Sequence, residues 1–309
     1  MGNPIYVTHN GDLLDTTMFR AEMLHLLLAK TPHLAQFCQL IGDTRDSNAP
    51  SITRPQLSND DVAEAVAEGS AISTTTTLTD GTCVVTPGRL AIKRKISDRL
   101  HFIFEEGYIS PRKLAQYQAD TVFLGHDAQI TALYSSFTGS VGVSGADATL
   151  VDFLTAIQTL VRRECDPNNL IASLHPEQWN NIQTDLLSYG NIAVAREDVA
   201  KMLESEQKNF RGRLFKVEVW TSSQVADANG GADHGGAMFE KMTAIARGQG
   251  SAKPLPAGNG GRMLESGTVI YTNVVVDADK SDIDIVTNGF MGASINEAGR
   301  GIKFITDHE

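Results

Sequence analysis

Ser73-Thr74-Thr75-Thr76-Thr77-Leu78, then Asp80-Gly81, then Cys83 to Ile96, then Ser110-Pro111 and a periodic run to Phe137: the reading of this stretch decides the fold. The threonine run is β-prone and Asp80-Gly81 has turn chemistry. The second β-prone run ends on Lys93-Arg94-Lys95. Together they predict a hairpin that is polar on both sides and has little apolar surface to bury against its own domain. Pro87-Gly88 inside the second arm suits an edge or a bulge, because proline removes a ladder donor. Threonines and lysines on free edges also discourage indiscriminate pairing. Such an arm is worth building only if another chain receives it, which points to an assembly protein rather than a free enzyme.

The helix that follows is well marked. Ser110 caps free amides and Pro111 suits the first helical position. Leu114, Tyr117, Leu124 and Ala128 form one predicted face, and Ile130, Leu133 and Phe137 extend the apolar surface. Continuous to Phe137, the helix spans about 40 Å at 1.5 Å per residue. Gly125 within it is a weak point of about 1 kcal/mol relative to alanine.

Working outward, Met18, Met23, Leu26, Leu27, Leu34, Phe37 and Leu40 have a helical period interrupted at Pro32. Gly42 to Pro50 reads as an extended linker and Val62 to Glu68 as a short helix. Gly139 to Gly145, with a glycine at every third place, reads as a flexible hinge. Ala148 to Arg163 is an amphipathic helix, Leu170 to Leu174 a buried strand, and His175-Pro176-Glu177 the start of a helix carrying Trp179, Ile182, Leu186 and Leu187. Leu214 to Trp220 reads as one strand and residues 221–236 as a small-residue loop. Later strands are expected over Thr268 to Val276, Ile283 to Phe290 and Gly301 to Ile305. Helices and strands alternate without the regular period of a parallel sheet, which predicts an α+β fold.

The chain has 309 residues, 41% hydrophobic and 20% charged, with a net charge of −11. That composition supports sizeable cores and excludes a disordered class. The acidic balance argues against a broad phosphate-binding face. The one basic concentration is Arg89, Lys93, Arg94, Lys95 and Arg99, read as a solvated strand face or a contact for an acidic neighbour. Three widely separated cysteines, Cys38, Cys83 and Cys165, fit a reducing compartment. No stretch approaches the roughly 20 apolar residues of a membrane span, and no secretion signal is expected. The expectation is a soluble protein made in the cytoplasm.

Candidate chemistry is sparse. His175 sits at a strand-to-helix corner with Ser173 two residues before it, but no orienting carboxylate is evident for a hydrolase triad. Asp233-His234-Gly235-Gly236 reads as an exposed loop and His126-Asp127 as a solvated helix face. Asp277-Ala278-Asp279 resembles the opening of a calcium loop, yet Asp282 stands where glycine is needed and Asn288 where glutamate is needed. It reads as an acidic turn between strands. No catalytic, cofactor-binding or metal-binding residue is assigned, and the competing reading of a soluble hydrolase rests on His175 or His234 alone.

The order of parts resembles tailed-bacteriophage major capsid proteins of the Hong Kong 97 type. Leu170 to Trp179, Gly212 to Val219, Gly289 to Ala293 and Ile302 to Asp307 resemble local patterns of that family. The resemblance implies an N-terminal arm at 1–68, an extended hairpin loop and its base at 69–109, and a spine helix with the peripheral domain at 110–147. An axial domain follows at 148–267, and residues 268–309 supply strands shared between the two domains. It implies a non-enzymatic shell subunit that assembles as hexamers and pentamers into an icosahedral capsid around double-stranded DNA. Only about 100 residues precede the helix, so a separate scaffolding protein, or none, is implied. A portal, a decoration protein and weak non-specific contact with packaged DNA are further implied partners; a membrane is not. The implied location is the virion capsid, with synthesis in the host bacterial cytoplasm. A cellular nanocompartment shell of the encapsulin type is the alternative within the same fold.

Overall fold

The computed structural model describes residues 34–44, 50–57, 80–97, 111–188, 209–250, 270–277 and 282–307. In chain order the elements are β1 (Gln39–Asp43), β2 (Ile52–Leu57), β3 (Asp80–Val85), β4 (Gly88–Ser97), α1 (Pro111–Ala132), β5 (Ser140–Val141), α2 (Leu150–Arg162), β6 (Leu170–Leu174), α3 (Pro176–Ser188), β7 (Phe210–Leu214), β8 (Val217–Thr221), β9 (Asp227–Ala228), β10 (Asp233–Glu240), β11 (Ile245–Gln249), β12 (Ile270–Asp277), β13 (Asp282–Ile295) and β14 (Gly301–Asp307). This is an α+β arrangement, as the irregular alternation predicts.

β6 explains the larger sheet. All five of its residues are buried, because both faces of the sheet are covered. Leu170, Ala172 and Leu174 join one core with Leu150, Phe153 and Leu160 of α2 and Trp179 and Ile182 of α3. Ile171 joins a second core with Tyr134, Phe137, Trp220, Phe239 and Ile245. The sheet runs β5-β14-β10-β6-β8-β7, with β9 on the edge of β10. Helix α2 starts where Thr149 and Asp152 form a reciprocal capping box.

The smaller sheet runs β1-β11-β13-β12, and β4 pairs along the other edge of β13 from Gly88 to Ser97. Helix α1 packs against β4 and β13. The second core lies between the two sheets, since Ile245 opens β11 while Phe239 lies in β10.

Several expectations are corrected here. Asp80-Gly81 is not a turn but the start of β3, whose partner is β2, in register from Ile52↔Val85 to Leu57↔Asp80. The threonine run 73–78 lies outside the described residues. The run from Cys83 to Ile96 is two strands split at Thr86-Pro87, consistent with the missing proline donor. Nor is this region poorly buried: Cys83 and Val85 form a small core with Ala246. Gly292 of β13 allows the crossover to pass closely, as the Thr86 carbonyl lies 2.5 Å from where a Cβ would stand.

Leu34 to Phe37 is a 3-10 turn and Gln39 to Asp43 a strand, so the helical period does not hold there and the linker reading fails at Gly42-Asp43. α1 matches expectation to Ala132 and continues as a 3-10 turn to Ser136. Its buried side is not the predicted one. Tyr117 is 63% exposed and Leu124 38% exposed, while Gln118, Val122, His126, Asp127, Ile130 and Thr131 face inward. The Leu214 to Trp220 run is a hairpin, with Phe215 and Lys216 both at positive φ in its turn. Gly139 to Gly145 is held rather than hinged. Gly142, at φ 85°, lies so close to the Ile305 carbonyl that any side chain is excluded, and Val141 pairs with Phe304 of β14.

Candidate functional site

The structure brings together His175 and His234, which stand far apart in sequence. His175 occupies the corner between β6 and α3, and His234 lies in β10. Their rings stack with centroids 3.7 Å apart and planes 22° apart. Glu177, in the first turn of α3, completes the cluster: its Oε2 contacts His234 Nε2 and lies 3.6 Å from His175 Nδ1. Asp227 of β9 approaches the other side of His234, with Oδ1 3.8 Å from Nδ1.

The expected exposed loop at Asp233-His234 is therefore a buried strand. Asp233 is fully enclosed and His234 only 2% exposed. Asp233 accepts from Ser144 Oγ at 2.7 Å, from Asn229 Nδ2 and from the Gly145 N–H at 3.0 Å. These donors hold its carboxyl below the usual aspartate value, the Ser144 hydroxyl contributing most.

His126-Asp127 is likewise buried, not solvated. Asp127 Oδ1 accepts the Leu34 N–H at 3.0 Å, which anchors the 34–38 segment on α1. Ser173, the other half of the hydrolase idea, is fully buried in β6, where a substrate has no access. Burial also raises the Tyr134 phenol, which the Ser173 hydroxyl partly offsets.

The basic strip divides by strand alternation. Arg89, Lys93 and Lys95 are exposed on one face of β4, and Arg94 is on the other, half-buried face. Arg89 Nε donates to Asn288 Oδ1 at 2.7 Å. Arg99 lies outside the described residues. Asp277 and Asp282 are register partners at the ends of β12 and β13, so the acidic segment does join two paired strands. Residues 278–281 themselves are outside the described set.

No protein-family model matches the sequence, and no curated protein matches it. Solved structures do match. The capsid of the cyanophage P-SCSP1u shares 9% identity with a TM-score of 0.57, over 91% of this chain and 90% of its own. The capsid of Ralstonia phage GP4 shares 11% identity with a TM-score of 0.57, over 88% of this chain and 86% of its own. This chain has the phage capsid fold. A virus-like particle from Pyrococcus furiosus is similar too, with 9% identity and a TM-score of 0.52, over 93% of this chain and 97% of its own.

The capsid fold agrees with the resemblance read from the order of parts. Sequence reasoning missed three residues of the histidine cluster's surroundings, Glu177, Gln178 and Asp227. The His175-Pro176-Glu177 helix start was a visible signal for the first. Nothing in the linear pattern paired it with a strand more than 50 residues on. Among the described residues no helix is long and apolar enough to cross a membrane.

Proposed function

We propose that this chain is the major capsid protein of a tailed bacteriophage, a non-enzymatic subunit that self-assembles into the icosahedral shell around a double-stranded DNA genome. The observation that carries this reading is likeness to phage capsid structures over about nine-tenths of the chain on both sides of the comparison.

In this reading α1 is the spine, the sheet of β4, β12 and β13 beside it belongs to the peripheral domain, and the seven-stranded sheet with α2 and α3 is the axial domain. The C-terminal strands serve both domains, which is supported by β12 and β13 lying in one sheet and β14 in the other. Residues 69–109 are assigned as the extended loop and its base, with the arm at 1–68; Leu57 and Asp80 are opposed in the β2–β3 ladder. Hexamers and pentamers form by reaching across neighbours, and the exposed basic face of β4 meets acidic surface on an adjoining subunit. Portal, scaffold and decoration proteins, and loose contact with DNA, complete the partner set. The location is the virion, after synthesis in the host cytoplasm.

Negative-stain electron microscopy tests this, with the chain expressed alone and with its neighbouring genes. Closed shells or capsomer rings are expected, and shells that need a partner favour a scaffolded phage capsid. Shells from the chain alone favour the nanocompartment alternative, in line with the similarity to a virus-like particle. Uniform small particles under both conditions would falsify the shell reading.

A further inference from the structure

We propose that His175, Glu177 and His234 form a binding site for a divalent transition-metal ion, zinc being the best match, and that the ion fastens the start of α3 to β10. One ligand atom from each residue lies within 4.8 Å of the other two. Ligand atoms about 2.1 Å from a tetrahedral zinc ion lie roughly 3.4 Å apart. The 3.6 Å between His175 Nδ1 and Glu177 Oε2 is already near that spacing.

The donor set is two imidazoles and one carboxylate, which suits zinc and its neighbours rather than calcium or magnesium. Asp227 lies on the far nitrogen of His234. At 3.8 Å this is a charge neighbour rather than a hydrogen bond, and its negative charge favours a cation at the site. Gln178 holds the backbone on both sides, accepting the His175 N–H at 3.0 Å and donating to the His234 carbonyl at 3.2 Å.

A divalent ion would take Glu177 as a carboxylate and His234 as a neutral imidazole, with any proton they carry released to solvent. Stacked rings direct their lone pairs nearly parallel, so His175 turns out of the stack to coordinate. Glu177 is the entry side, its side chain being 47% exposed against 2% for His234.

The test uses the tag-free full-length protein, with zinc uptake measured by equilibrium dialysis and site chemistry read from cobalt(II) absorption. The expected result is about one zinc ion per chain and the intense visible bands of a low-coordinate cobalt site with nitrogen ligands. His175→Ala and Glu177→Gln lose the stoichiometric uptake, and Asp227→Asn weakens it by removing a nearby negative charge. Glu177 and Asp227 are exposed, so circular dichroism is expected to show their variants folded, which keeps the test valid if His175→Ala does not fold. The proposal is overturned if the wild-type chain takes up no zinc, if Glu177→Gln takes up as much as wild type, or if cobalt shows only the weak bands of an octahedral oxygen-ligated ion.

Discussion

Gln178 binds His234 through the backbone: its side-chain Nε2 donates to the His234 carbonyl oxygen at 3.2 Å and to the Thr306 hydroxyl at 2.8 Å. Its Oε1 accepts the His175 N–H at 3.0 Å. One buried amide thus joins the β6–α3 corner to two adjacent strands, β10 and β14. Gln178→Ala strands those groups, at about 1–3 kcal/mol for each left buried without a partner. The expected outcome is a lower urea midpoint with an unchanged slope, since the exposed area on unfolding is the same. A midpoint equal to wild type counts against this role.

Asp233 makes stability depend on acid. Its folded value is held below the ordinary 3.8 by the Ser144 hydroxyl first, then by Asn229 and the Gly145 N–H. A depressed carboxylate contributes stability that is fully present above its unfolded value and lost as pH falls through the folded one. Wild type is therefore expected to lose stability below about pH 4, and Asp233→Asn to lack that part of the slope while starting less stable. Urea midpoints measured from about pH 5 to about pH 3 decide it; parallel curves for the two proteins would remove Asp233 as the cause.

The three thiols are expected to be inert while the chain is folded. All three are buried and free. Burial pushes Cys38 up to about 12, against a weaker opposing pull from Arg247. Burial is also the leading cause of the upward shifts at Cys83 and Cys165. The thiolate is the reactive form, so little is present near neutral pH. A disulfide reagent should label none of the three in buffer and all three in denaturant. Rapid native labelling of any one would show that its segment opens.

The sequence made some parts of this fold readable and hid others for identifiable reasons. α1, α2, β6 and α3 carry local signals strong enough to stand alone: the Ser110-Pro111 start, the amphipathic period of Ala148 to Arg163, an unbroken apolar run and the Pro176 corner. The buried face of α1 was misread because its inward side is polar: Gln118 and Asp127 accept from Thr287 and Leu34, and Thr131 donates to the Gln224 carbonyl, all distant in sequence. β10 was hidden by its own composition. Asp233-His234-Gly235-Gly236 has turn chemistry, yet its partners in β14 and β6 settle its conformation. The histidine cluster was invisible for the same reason, as its members meet only through sheet pairing. The hairpin was misplaced because Asp80-Gly81 looks like a turn, and pairing with β2 is a non-local fact.

That corrected pairing separates folding from assembly. Removing Thr74 to Lys95 would delete β3 and most of β4, including the buried Cys83 and Val85 and the ladder with β13. Such a variant is expected to lose part of its core. Residues 58–79 differ, because Leu57 and Asp80 are directly opposed in the β2–β3 ladder. An Asn-Gly turn joins strands at that spacing, since it supplies the positive φ a two-residue hairpin needs. Replacing 58–79 with Asn-Gly should therefore preserve the circular dichroism spectrum and cooperative unfolding of the wild-type chain. The same variant should give no closed shells in electron micrographs under conditions where the wild type does. Shells of normal appearance would show that the segment is dispensable for assembly, and a collapsed spectrum would show that it belongs to the core.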